Sequence, residues 1–297
     1  MSRDPRTGIL CMAYGSPAGE VDIEAYYTHI RGGRKPSAEA LEELTARYRA
    51  IGGSPLTAIT RSQAAALGER LGLATFVGMK HASPFIEDGA VEAARAGIER
   101  LVGLPLAPHF ADMSLGAYER ALEKAWPGEL CFVRGFHDHP AFIHAVAVLV
   151  EEAMATDRPE RLFFTAHSLP ARIVAEGDGY HDRLLQSCRL VAGAIDLPPW
   201  EFAFQSASTT GEPWLGPDLL AAIERSGARD VLVCPIGFVA DHLEILYDLD
   251  VEAQEFARSK GITIRRTPSF NARPEFTEAL AAVVLDELAA QRSAHAG

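Results

Sequence analysis

The strongest constraint on the fold of this chain is a beat of short apolar runs and helix-period stretches, repeated in each half of its 297 residues. Four β-type runs stand out in the first half, at 8–13, 75–79, 101–107 and 130–133. Four more follow in the second half, at 161–165, 201–205, 230–234 and 263–266. Between most of them lie stretches of helical period, at 62–71, 83–100, 115–124, 218–226 and 243–260. Strands that alternate with helices build βαβ units, whose parallel strands are buried on both faces. The expected class is α/β: two similar Rossmann-like domains, each a four-stranded parallel sheet flanked by helices. We place the first at 1–145, with an insert at 16–74 rich in Tyr, Arg and Gly, and the second at 146–297. The last helix is able to pack back on the first domain. Domains of roughly 150 residues are large enough to bury a core.

Charge and composition exclude several classes. The chain carries 28 Lys and Arg against 40 Asp and Glu, a formal charge of −12, so it lacks the basic excess of a nucleic-acid binder. No apolar run reaches the roughly 18–20 residues that cross a bilayer. The longest, at 141–150, is interrupted by His144. The opening residues 1–8 are polar, without the apolar core of a secretory leader. Cys11, Cys131, Cys188 and Cys234 are scattered without C-x-x-C spacing, which suits a reducing compartment and no dedicated metal cluster. The expectation is a cytoplasmic protein without an integral membrane segment, acting on small molecules.

Open parallel sheets bind ligands beyond the carboxyl ends of their strands. The residues there include Tyr14, Lys80, His81, His109, His167 and Gln205, and no glycine-rich phosphate cradle is among them. His167 follows a β-rich run and precedes Ser168. Its imidazole is open to two readings, a proton acceptor or metal ligand, or a hydrogen-bonded strand terminus. Glu244, Asp248 and Glu252 recur every four residues, which lines three carboxylates along one face of a continuous helix. Such a row is either a solvated acidic face or a path for a divalent cation. The insert offers Tyr26, Tyr27, Arg31, Arg34 and Lys35, then Arg47 and Tyr48, ahead of Gly52, Gly53 and Ser54. This is a surface loop or a site for a planar anion, with Arg forks for carboxylates and rings for stacking. His81 and His109 lack a local acidic partner and read as structural, and Cys11 and Cys234 read as core thiols.

Seven blocks occur in the order found in ferrochelatases: MAYG at 12–15, YYTHIR at 26–31 with RKP at 34–36, GMKHASPFIED at 78–88, LAPHF at 106–110, TAHSLP at 165–170, PWLGP at 213–217 and GFVADHLEILYDLD at 237–250. The chain therefore resembles that family, most closely its bacterial coproporphyrin III type, over nearly its whole length. The resemblance implies two chelatase-type domains with a porphyrin cleft between them, and insertion of ferrous iron into coproporphyrin III to give coproheme in haem biosynthesis. It implies that His167 and Glu244 are catalytic and meet the metal, with Asp248 and Glu252 extending a metal or proton path. Tyr14 matches an axial ligand of the porphyrin iron, and Tyr14, Arg31, Arg47, Tyr48, Ser54 and Tyr118 match substrate-binding positions.

The resemblance also implies iron as a substrate, no tightly bound cofactor, no iron–sulfur cluster, a monomer, and a coproheme decarboxylase acting downstream. One departure stands out: where family members often carry a second basic residue after Arg31, this chain has Gly32. Its ends are too short for the membrane-binding or cluster-binding extensions of some relatives. The alternatives are a protoporphyrin IX ferrochelatase and, from another class, a non-catalytic haem or porphyrin carrier.

Overall fold

A computed structural model describes residues 5–207 and 211–296. Among the described residues, eight strands form two sheets: β1 Thr7–Ala13, β2 Ala74–Met79, β3 Arg100–Pro105, β4 Glu129–Phe132, β5 Arg161–His167, β6 Trp200–Gln205, β7 Asp230–Cys234 and β8 Thr263–Arg266. The first sheet runs β2-β1-β3-β4 and the second β6-β5-β7-β8, all pairs parallel. Both sheets therefore share one order and one switch point, beside their first strand. The central strands are buried almost throughout, as parallel strands covered on both faces must be.

By contacts the described residues fall into two compact units. One lies within Met1–Ala107, Asp112–Phe136 and Phe270–Gly297, the other within Pro108–Ala111 and His137–Ser269. In the first unit, Leu10, Met12, Phe76, Leu101, Ile86, Ala90, Tyr118 and Leu122 form one core layer between strands and helices. Its last helix, Pro274–Ala296, packs on the helix Leu56–Leu71, where Arg70 meets Glu278 at 2.6 Å. In the second unit, Phe163, Val231 and Val233 of the sheet meet Ile223, Ile245, Leu249, Ala253 and Ala257. Cys11 and Cys234, the expected core thiols, are buried, as are Cys131 and Cys188; all four are free, and burial pushes Cys11 and Cys234 up to about 12.

Two expected helices differ from the reading at 83–100 and 243–260. The first spans only Ile86–Arg95, because Arg100 must be extended to pair with Thr7 of β1. The second is interrupted. An α-helical turn at Leu243–Leu246 gives way to a wider i→i+5 turn at Asp248–Glu252, and the α-helix resumes at Ala253–Lys260. The Glu252 amide reaches back to the Tyr247 carbonyl at 2.9 Å. The cause lies in the apolar row 245, 249, 253, 257, all buried on the sheet. In an α-helix each step of four overshoots a full turn by about 40°. A wider turn winds more slowly and returns the later residues to the core.

Candidate active site

His167 ends β5, the strand beside the switch point of its sheet, and is half-buried. Its Nδ1–H donates to the Ser168 carbonyl, and the Tyr180 hydroxyl donates to the His167 carbonyl at 3.1 Å. Ser168 is itself tied down, its amide to Gln205 O at 2.8 Å and its hydroxyl to Leu215 O at 2.7 Å. With Nδ1 committed as a donor, the neutral ring keeps a bare lone pair on Nε2, which can take a proton or a metal ion.

Gln205, the neighbour of His167 in the sheet register, carries the link to the acidic segment. Its side-chain amide accepts from Thr165 Oγ1 at 2.8 Å and donates to the Glu244 carbonyl at 2.7 Å. The next residue, Ser206, donates its hydroxyl to the Asp248 carboxylate. Ser206 holds φ at +62°, a left-handed conformation that costs a non-glycine residue about 1 kcal/mol or more. The end of β6 thus holds the backbone of Glu244 and the carboxylate of Asp248. Glu244 is half-buried, Asp248 is buried and Glu252 is exposed. The wider turn keeps the row in line too, since its residues share the four-residue spacing of the apolar row beside them.

One residue that the sequence reading passed over belongs here. His242 Nδ1 lies 2.8 Å from the Ala240 carbonyl, which fixes that nitrogen as a donor. Its Nε2 lies 3.3 Å from Glu244 Oε2. The His242 ring therefore faces the Glu244 carboxylate directly. The spacing of His242 and Glu244 at i, i+2 hid this, because it does not place both on one face of a regular helix; the extended backbone of His242 allows it. Among the described residues, no three His, Cys, Asp or Glu side chains form a ready-made metal cage.

In the first unit the counterpart of His167 is Tyr14, which follows β1 beside the switch point of that sheet. Tyr14 is 41% exposed and its ring rests on His81, centroids 4.5 Å apart. The following turn requires glycine: Gly15 holds φ at +92°, and a Cβ there would meet Ala82 and Met79 at 3.0 Å. The Tyr26 hydroxyl donates to the Gly15 carbonyl at 3.1 Å. His81 Nδ1 lies 2.9 Å from His29 Nδ1. Burial, then the Lys80 and His29 charges, push His81 down to about 3, so it stays neutral. Lys80 Nζ sits 5.7 Å over the Tyr118 ring, pulled below its ordinary value by burial and by Arg120. Tyr118 is buried, which pushes its hydroxyl upward, aided by Tyr14. Tyr14, Lys80, His81 and Tyr118 thus gather at the strand ends.

The other expected binding residues lie on the insert. Tyr48 is buried edge-on against Tyr26, ring centroids 6.4 Å apart. Arg47 bonds to Glu43 at 2.9 Å, and Arg31 lies exposed, 5.5 Å from the centre of the Tyr27 ring. Ser54 accepts the Leu56 amide at 3.3 Å and so opens the helix Leu56–Leu71.

Two parallel sheets of identical order, each carrying a titratable residue beside its switch point, define a chelatase-type α/β protein. A solved structure described as SirB from Bacillus subtilis with Fe3+ has this fold, with a TM-score of 0.63 at 11% identity, covering 97% of this chain and 98% of that one. The family profile named Ferrochelatase matches residues 6–288. A coproporphyrin III ferrochelatase of Bacillus subtilis strain 168 is 42% identical over 309 residues, 97% of this chain and 99% of its own. The enzyme of that name from Anoxybacillus flavithermus is 42% identical over 302 residues, 95% of this chain and 96% of its own. The chain belongs to the ferrochelatase family, whose members are chelatases of the lyase class.

Proposed function

We propose that this enzyme inserts ferrous iron into coproporphyrin III, giving coproheme and two protons, as a step of haem biosynthesis in the cytoplasm. The relatives named for that reaction support the choice of substrate. The observation that supports the mechanism is the placement of two candidate bases in the second unit: His167 with Nδ1 tied to the Ser168 carbonyl, and Glu244 facing the His242 ring.

Each pyrrole N–H must lose its proton as the nitrogen takes the metal. A flat macrocycle hides those lone pairs, so distorting it is part of the work, driven by binding energy from carboxylates remote from the reacting nitrogens. Arg31, Arg47, Tyr48, Ser54 and Tyr118 supply that binding in this reading, with the macrocycle held by the first half of the chain, 1–145. The second half, 146–297, supplies the bases. His167 Nε2 takes one proton and, as an iron ligand, also hands the metal to the pyrrole nitrogens; the Glu244 carboxylate, beside His242, takes the other proton and passes it outward. Asp248 and Glu252 deliver iron from solvent, so that it moves from hard carboxylate oxygen to imidazole and then to pyrrole nitrogen. Tyr14 is the candidate iron ligand of the first unit. No resident cofactor is needed; iron is a substrate, the enzyme works as a monomer, and coproheme goes on to a decarboxylase.

The test is His167→Ala. Iron insertion is expected to fall at least about a hundredfold, the usual scale for a lost general base. Porphyrin binding, followed by its absorbance and fluorescence, is expected to hold within a fewfold. Insertion at a near wild-type rate would overturn the mechanism, and a wild-type protein that binds porphyrin without metallating it would overturn the function in favour of a carrier.

A further inference from the structure

Arg266, the last residue of β8, has no part in the reading above, yet it holds both ends of the acidic segment. Its guanidinium is largely buried, at 18% side-chain exposure, and it bonds to Asp250 and Asp241 of that segment and to Thr267, the residue after its own strand. Nε and Nη2 form a two-toothed fork on Asp250, both at 2.7 Å. Nη2 also reaches Asp241 at 3.5 Å, and Nη1 donates to the Thr267 carbonyl at 3.1 Å. Asp241 in turn accepts the Ser269 hydroxyl at 2.7 Å. Burial pulls the Arg266 guanidinium down, but the bonds and charges of Asp250 and Asp241 outweigh it and the net shift is upward.

The two aspartates bracket His242, Glu244 and Asp248. Asp250 lies inside the i→i+5 turn, a conformation rare by itself and therefore dependent on tertiary contacts. Leu249 anchors that turn inward to the core; Asp250 anchors it to the edge strand.

We propose that Arg266 is a positioning residue for metal delivery: by clamping Asp241 and Asp250 to β8 it holds Glu244 and Asp248 in line. This rests on the proposed iron path along those carboxylates. A fork is needed, not merely a positive charge, because an ammonium cannot bind both carboxylate oxygens in parallel.

Arg266→Lys keeps the charge and removes the fork, and Asp250→Asn removes the fork from the other side, at a half-exposed carboxylate. Two readouts on the purified enzymes separate the possibilities: amide hydrogen exchange over residues 243–252, and steady-state constants for each substrate. Exchange there is expected to rise at least fivefold in both variants, while the rest of the chain is unchanged. KM for ferrous iron is expected to rise about tenfold, with KM for porphyrin within twofold of wild type. Unchanged exchange over 243–252 would overturn the clamp. Raised exchange with an unchanged iron KM would leave the clamp in place but overturn its role in metal delivery, and with it the carboxylate path. Equal effects on both substrates would show general destabilisation and sink the proposal.

Discussion

His109 shows how much at the scale of one residue is decided by a single hydrogen bond. Its ring is 3% exposed, in a segment that joins the second unit. The Ser187 hydroxyl lies 2.6 Å from the His137 carbonyl, to which it must donate, so it can only accept from His109 Nε2 at 2.9 Å. That fixes the neutral tautomer, and burial, with His137 and Arg183 nearby, holds the ring well below its ordinary value. A histidine whose folded value lies below its unfolded value of about 6.5 binds fewer protons folded than unfolded in acid. Its contribution is complete above that value and is lost as pH falls below it, with a slope of up to about 1.4 kcal/mol per pH unit. His81 acts in the same direction down to about 3. Stability measured by denaturant at a series of pH values is expected to fall below pH 6.5, and more shallowly in His109→Gln, whose amide can still reach Ser187. Parallel pH profiles would refute this. The structural role of His109 was legible in the sequence; its proton was not, because Ser187 lies 78 residues away. The place of His167 at the end of a strand was legible for a local reason, the β run before it. His242 was missed because Ala240, which fixes its tautomer, acts through the backbone.

Elements were easier to read than the irregularities inside them. The edge strand β8, Thr-Ile-Arg-Arg, is mostly polar, whereas the central strands announced themselves as apolar runs, since a strand buried on both faces has little room for polar side chains. The interrupted helix did not, although the clue was present. Two parallel rows, 245-249-253-257 and 244-248-252, keep a strict period of four, which an α-helix of 3.6 residues per turn cannot keep on one face. The turn before that helix is held as tightly. Gly237 follows β7 and its amide donates to Thr165 O at 3.0 Å, beside the strand that ends in His167. A Cβ at Gly237 would lie 2.5 Å from Ala166 Cβ and 2.9 Å from Ala166 Cα. Gly237→Ala must push the turn off β5, at about 1–3 kcal/mol, the usual range for overpacking. A lower midpoint of unfolding is expected, together with reduced iron insertion, because the acidic segment moves with the turn. A variant as stable and active as wild type would contradict the close approach.

For the molecule as a whole, charge and substrate pull in opposite directions. The chain carries −12 and the proposed porphyrin is itself an anion, so the net field cannot attract it. In that proposal recognition falls to the local cations of the insert, where Arg31, Arg34 and Lys35 lie exposed. The acidic excess has a use in the second unit, where part of it forms the row proposed to carry iron. No helix among the described residues is long and apolar enough to cross a membrane. The sheet order was only partly legible from sequence: the repeated beat showed two similar halves, but the placing of β1 and β5 inside their sheets depends on pairings between distant segments. That order is what sets Tyr14 and His167 at matching positions. The central claim is that this pair of sheets metallates a porphyrin with four carboxylates. Its most direct test is ferrous iron insertion by the purified protein, measured side by side on coproporphyrin III and protoporphyrin IX. The account expects kcat/KM for coproporphyrin III to be at least about tenfold higher; a clear preference for protoporphyrin IX would contradict it.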